Sequence, residues 1–339
     1  MTYFAIWGKN QWLSVKELEW IWKNIFEESW IFFFDTDRYE DCKFLAGFTK
    51  VWHIITLEEF VNLEKKLVWT NIHLNPKDKK KFWIKRYKQV DLLKSDLEIK
   101  KKWIEVIFFK WKNDIVWIVD YYQNISLYEA IDFEKPVSSM WIGMMPSKLA
   151  HLLINISTGL NYNKTVYDPF VGLWTTMMMA NFLWNNVIWS DLNPVACKQN
   201  WKFWQTTDFY KKDFKTLIFK QDITKDFKNK MVNFSTNVVS EWFLWPVVGK
   251  YLNEKEASFN ERSFQNIYIE GIKKLLSLPN IENIVITFPV YFLYNREKYF
   301  FQDTYDKIIK NGVKLEIIDD VYHRKWQKVW RQVVIITKS

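Results

Sequence analysis

The stretch that decides the fold is DPFVGLWTTMMMANFLWNNVIWSD, residues 168–191. A strand ending on Asp168 leads into a tight loop, a helix through TTMMMANFL, a second strand and a closing Asp191. Open α/β sheets hold nucleotide-type cofactors in this way, with the ligand against the loop and the start of the helix. Such a loop needs backbone that reaches φ > 0 and lets the ligand approach closely, which glycine alone does without strain. Gly172 meets that need, but Trp174, Trp184 and Trp189 stand where the pattern asks for further glycines.

Composition bears on this conflict. The chain holds 21 Trp against 8 Gly in 339 residues, whereas glycine ordinarily makes up about 7% of a chain. The tryptophans fall at turn positions and not on an apolar stripe. Some bacterial lineages read the UGA codon as glycine, while a common alternative table reads it as tryptophan. A gene of the first kind translated with the second table gives this composition, so most of the Trp are expected to be encoded glycines. The alternative is a chain unusually rich in aromatic residues.

At 339 residues and 49% hydrophobic, the chain can bury sizeable cores, and its length suggests two domains. Two cysteines, Cys42 and Cys197, make neither a disulfide framework nor a metal cluster, which points to a reducing cytoplasm. No apolar run reaches the ~18 residues of a membrane span, and MTYFAIWGKN lacks the layout of a signal peptide, so a soluble protein is expected. A net charge of +9 favours a polyanionic partner, nucleic acid ahead of an anionic membrane surface.

Two textures divide the chain at residues 1–135 and 136–339. The first part opens with a strand at 3–6 and a helix whose start is marked by Ser14 and Glu17, a capping-box spacing. Its most basic segment, PKDKKKFWIKRYK at 76–88, interleaves Phe82, Trp83 and Tyr87 with Lys81, Lys85 and Arg86. Cations of that kind bind phosphate and aromatics stack on bases; a plain solvated face is the alternative. The segments IEVIFFK and DIVWIVDYYQ, joined by WKND at 111–114, read as a hairpin. The second part alternates strands and helices, the mark of a largely parallel, doubly wound sheet. Ligands bind beyond the carboxyl ends of such strands, so Asp168, Asp191, Asp222 and Ser240-Glu241 are expected to share one crevice.

DPFVGLWTT resembles the DPFxGxGT loop of class I S-adenosylmethionine-dependent methyltransferases of the THUMP-containing RNA guanine-N2 group, and IWSDLNP resembles their following strand. MWIGMMPSKLAHLLINIS and YHRKWQKVWRQ look like further segments of that group. The likeness spans residues 138–339, and residues 1–135 look like the ferredoxin-like plus THUMP module that precedes the catalytic domain. It implies an α/β fold: a Rossmann-like sheet behind a smaller α+β RNA-binding domain. It also implies S-adenosylmethionine as cofactor, and methyl transfer to an exocyclic amine of guanosine in tRNA, with rRNA a weaker expectation.

On the residues themselves, Asp168 can receive the cofactor's amino group, with a capping or turn aspartate as the alternative. Phe170 and Gly172 lie in the loop, and glycine at position 174 would let backbone N–H groups face the methionine carboxylate near a helix N-terminus. With tryptophan there, the indole is expected to fill space that the cofactor needs. Asp191 sits where a carboxylate accepts both ribose hydroxyls. Asp222 is a candidate for the adenine amino group, an ordinary loop aspartate being equally open. Amine methyltransferases of this type carry an [N/D/S]-P-P-[Y/F] tetrad on the fourth strand. Here Ser240 and Phe243 fit, Glu241 can accept an amine hydrogen or act as base, and neither proline is present.

Other patterns carry no chemistry. His53, His73, His151 and His323 lack metal-ligand spacing and are expected at the surface or an interface. Met177, Met178 and Met179 read as helix core. Arg324, Lys325, Lys328 and Arg331 flank a turn and are either an RNA-contacting loop or plain surface charge. Two rivals stand beside the methyltransferase reading: a DNA amino-methyltransferase, and a non-catalytic RNA-binding protein with a degenerate site.

Overall fold

A computed structural model describes residues 2–7, 10–22, 25–28, 31–56, 67–73, 82–89, 103–109, 115–137, 144–242, 251–323 and 328–338. These form two compact units, one of residues 1–9 and 21–123, the other of residues 10–20 and 124–339.

The first unit is an antiparallel sheet of β1 (Thr2–Trp7), β2 (Ile25–Glu28), β3 (Ile31–Asp35), β4 (Phe48–Thr56), β5 (Leu67–His73), β6 (Phe82–Gln89), β7 (Trp103–Phe109) and β8 (Ile115–Tyr122). Their order is β2-β3-β1-β4-β8-β7-β6-β5. β7 and β8 pair antiparallel with Val106 opposite Ile118, as a hairpin requires; the connecting residues 111–114 lie outside the described residues. The basic segment contributes β6, while residues 76–81 also lie outside.

Helix α1 (Gln11–Leu18) belongs to the second unit. Its N-cap is Asn10, and Ser14 sits inside the helix with its hydroxyl donating back to the Asn10 carbonyl at 2.8 Å. The capping-box reading of Ser14 and Glu17 is therefore wrong. Glu17 is buried and accepts a hydrogen bond from Asn155 Nδ2, so its spacing from Ser14 reflects packing onto another helix.

That helix is α3 (Ser147–Thr158), reached through α2 (Ile125–Glu129) and the wide turn Ala130–Glu134. Beyond it come β9 (Thr165–Asp168), α4 (Thr175–Phe182), β10 (Asn186–Asp191), α5 (Val195–Trp204), β11 (Thr216–Lys220) and β12 (Asn237–Glu241). The chain closes with α6 (Glu254–Leu276), β13 (Asn283–Phe292), β14 (Lys298–Tyr299), α7 (Gln302–Lys310), β15 (Lys314–Tyr322) and β16 (Val329–Thr337). The last helix begins at Gln302, after Lys298 and Tyr299 pair with the end of β13.

The sheet order is β11-β10-β9-β12-β13-β16-β15. β11, β10, β9, β12 and β13 run parallel; β16 alone runs antiparallel, between β13 and β15, and β15 points the same way as the parallel strands. Strand alternation divides the core. Tyr167, Ile188, Val238, Ile284 and Ile286 face Tyr268, Ile272 and Leu275 of α6 and Tyr305 and Ile308 of α7. Their sequence neighbours Val166, Val187, Val239 and Val285 are buried on the opposite face. α3 is buried nearly all round, Leu149, Leu152, Leu153 and Ile156 included, and ends on Gly159 at φ 64° in the left-handed region that favours glycine.

Candidate active site

The chain leaves β9 towards β10 on one side and returns to β12 on the other, so the carboxyl ends of β9, β10 and β12 frame a topological switch point. Asp168 ends β9 there and is only 1% exposed. One of its oxygens accepts the Phe170 amide at 3.0 Å and the Ser240 hydroxyl at 2.6 Å. Burial pushes its carboxyl up to about 7 although these hydrogen bonds pull the other way, and neighbouring Asp191 adds to the rise. Gly172, at φ 49°, donates its amide to Asp191 Oδ2 at 3.1 Å, and Asn193 N–H reaches the other oxygen at 2.9 Å. Asp191 is half-buried, and each oxygen keeps a second lone pair. Val171 N–H donates to the Ser190 carbonyl at 3.2 Å, tying the loop to β10.

Asp168 with Ser240, and Gly172 with Asp191, thus form two directly hydrogen-bonded pairs at the ends of β9, β10 and β12. Phe170 lies beside them and packs on Trp242 with ring centroids 5.1 Å apart. Asp222 follows β11 next to Gln221, whose amide donates to the Asp191 carbonyl at 3.2 Å. Its own carboxylate is taken by Thr224 through both amide and hydroxyl, which holds it below the usual carboxylate range. Phe243 lies outside the described residues.

Glu241 is not a solvent-facing strand end. Its Oε1 accepts from Arg331 Nε, and a second guanidinium N–H reaches the Met144 carbonyl at 3.4 Å. Arg331 is 1% exposed on β16, so neither the surface-charge nor the RNA-loop reading holds for it. Its partner lies 90 residues away, and no local sequence signal announces such a pair. His151 is also buried, with Nδ1 2.9 Å from the Tyr128 hydroxyl, rather than at the surface; His53 and His323 are half-buried, and His73 has no described side chain. Met177, Met178 and Met179 are fully buried core, as their helical run suggests.

The tryptophans of the opening stretch occupy unusual positions. Trp174 has φ 89° and Trp184 φ 53°, a region in which a residue with a β-carbon is strained by about 1–3 kcal/mol. Trp174 does not project into the crevice as expected; its indole is fully buried, turned towards Trp189 of β10 and Trp201 of α5. The Trp174 and Trp189 centroids lie 3.6 Å apart at 80°, closer than the 4.5–7 Å of ordinary aromatic pairs. Among the described residues the Trp189 indole N–H has no acceptor, and that of Trp174 has only the weakly accepting Cys197 thiol beside it.

Among the described residues no cluster of His, Cys, Asp and Glu could hold a metal ion, and no helix is long and apolar enough to cross a membrane. The fold is a Rossmann-like α/β sheet with one antiparallel strand, β16, between β13 and β15. No protein-family model matches the chain, and no curated protein matches it. Among solved structures it is similar to a magnesium protoporphyrin IX methyltransferase from Synechocystis, at 12% identity and TM-score 0.40 over 63% of this chain and 94% of that one. A putative tRNA (m1A22) methyltransferase of Streptococcus pneumoniae matches at 13% and 0.35, over 57% and 74%. A TehB-like methyltransferase from Corynebacterium glutamicum matches at 17% and 0.32, over 55% and 85%.

Proposed function

We propose that this crevice binds S-adenosylmethionine and that the protein transfers its methyl group to an exocyclic amine of guanosine in tRNA. The observation that carries the reading is the hydrogen-bonded set Ser240–Asp168 and Gly172–Asp191 at the switch point. The residues fit the cofactor. Asp191 has lone pairs for two ribose hydroxyls, and a buried carboxyl such as Asp168 is held as a carboxylate by a cation such as an amino group. Bound there, the cofactor supplies an electrophilic methyl on a sulfonium.

Little acid–base help is then needed, and positioning can supply most of the rate. Ser240 and its backbone carbonyl orient the amine, and Phe243 stacks on the base. Arg331 fixes the Glu241 carboxylate, so that it helps orient the amine rather than acting as a free base. The unit of residues 1–9 and 21–123 serves as a THUMP-like RNA-binding domain, and the unit of residues 10–20 and 124–339, which begins before the boundary at 135 read from the sequence, as the catalytic one, in the cytoplasm; the +9 charge suits an RNA partner.

The residues at 174, 184 and 189 are glycines in this reading. Positive φ at two of them and the crowded, acceptor-poor indoles support it. A second reading, an RNA-binding protein with a degenerate site, is favoured by the missing prolines and the engagement of Glu241 by Arg331; calorimetric cofactor binding separates the two. The test of the main proposal is a map of methylated guanosines in tRNA from cells with and without the gene. One N2-methylated position lost with the gene supports it, and an unchanged map contradicts it.

A further inference from the structure

Lys135 carries a cation in a place where a cation is expensive. It is 3% exposed, and its ammonium donates to the Thr175 hydroxyl at 3.0 Å. Among the described residues no carboxylate pairs with it. Asp132, whose oxygen accepts the Ser147 amide, and Glu241, held by Arg331, act on it only from farther away. Burial lowers the Lys135 amine to about 8 against these two carboxylates. A buried ammonium without a counterion is disfavoured by several kcal/mol unless an anion joins it.

Its position says which anion. Thr175 is the first residue of α4, directly after the loop 168–174, so the ammonium stands at a helix N-terminus whose dipole favours negative charge. Asn200 holds this arrangement together. It exchanges hydrogen bonds with the Val137 backbone, at 2.9 Å each way, and donates to the Leu173 carbonyl at 3.1 Å. One buried side chain thereby fastens the segment after Lys135 to the loop.

We propose that the Lys135 ammonium and the first turn of α4 form an anion subsite for the carboxylate of the cofactor's amino-acid end. This rests on the reading of the crevice as an S-adenosylmethionine site. The test uses the full chain with glycine at 174, 184 and 189, titrated with S-adenosylmethionine and with its decarboxylated form, which keeps the amine and lacks the carboxylate. Lys135→Gln should weaken the first compound by roughly tenfold to a hundredfold and leave the second unchanged, while Lys135→Arg retains most of the preference. Equal weakening of both compounds in Lys135→Gln indicates a merely structural lysine and overturns the assignment, as does no weakening of either. If the unsubstituted chain binds neither compound, the cofactor reading falls and the subsite with it; if it binds the first and Lys135→Gln binds it equally, only the subsite falls.

Discussion

Trp204 and Trp174 are both fully buried against the same helix layer, and their surroundings differ. The Trp204 indole N–H donates to Asn181 Oδ1 at 2.9 Å, and the same oxygen accepts the Lys211 amide at 3.0 Å. Asn181 in turn donates to the Lys211 carbonyl at 2.9 Å, and the Trp204 ring stacks on Phe209 at 17°. Every polar group in that network has a partner, as buried polar groups in folded proteins do. Around Trp174 the backbone is left-handed, two indoles cross at 3.6 Å and one of them, Trp189, lacks an acceptor. The difference supports the proposal that position 204 is a tryptophan site and that positions 174 and 189 are encoded glycines.

The largest effect that would break this comparison is on stability. Trp204→Gly should destabilise by about 3–5 kcal/mol, the usual range for emptying a large aromatic site. Trp174→Gly combined with Trp189→Gly should lose less than half as much, because it relieves a strained φ and a buried N–H without a partner. Denaturant unfolding of the purified variants measures both, and a double variant less stable than Trp204→Gly would refute the distinction.

Next in size is the effect of Asp168. Its folded carboxyl titrates near 7, above an ordinary aspartate, chiefly because it is buried. A raised acid contributes stability that is fully present below the unfolded value near 4 and is lost as pH rises towards 7. Asp168→Asn escapes that loss, so its stability advantage should grow between pH 4 and 7, to the order of 2–4 kcal/mol, and then level off. Melting curves across that range check it; a gap that shrinks with rising pH contradicts the burial argument.

Asp191→Ala should weaken cofactor binding by about 2–4 kcal/mol, since hydrogen bonds to a charged group contribute about 1.5–3 each. Calorimetry measures this, and unchanged affinity removes the ribose assignment. The smallest effect concerns the basic segment 79–88, whose side chains lie outside the described residues. Charge-neutral replacements there should flatten the salt dependence of tRNA binding by about 0.7–0.9 log unit per lost phosphate contact. An unaltered slope means a solvated face.

Much of the second unit could be read from sequence because its signals are local. Asp168 and Asp191 close apolar strands, and the one helix between them follows without long loops. Signals that depend on distant partners were not legible. Arg331 sits in a lysine-rich stretch and resembles surface charge until β16 folds it against Glu241. Lys135 has no motif around it, and its meaning comes only from burial beside Thr175. Ser14 and Glu17 mimic a capping box, but Asn10 takes the cap and Asn155 takes the glutamate. The indole of Trp174 was expected in the crevice, yet backbone direction at a left-handed residue turns it into the core.

The most direct test of the central claim is a methyl-transfer assay. Full-length protein with glycine at 174, 184 and 189 is incubated with unmodified tRNA and S-adenosylmethionine labelled in its methyl group, and the digested nucleosides are identified. The account predicts label in N2-methylguanosine, with none when Asp191 is alanine. Label that appears only in another nucleoside, or tight cofactor binding with no transfer to tRNA, would contradict it.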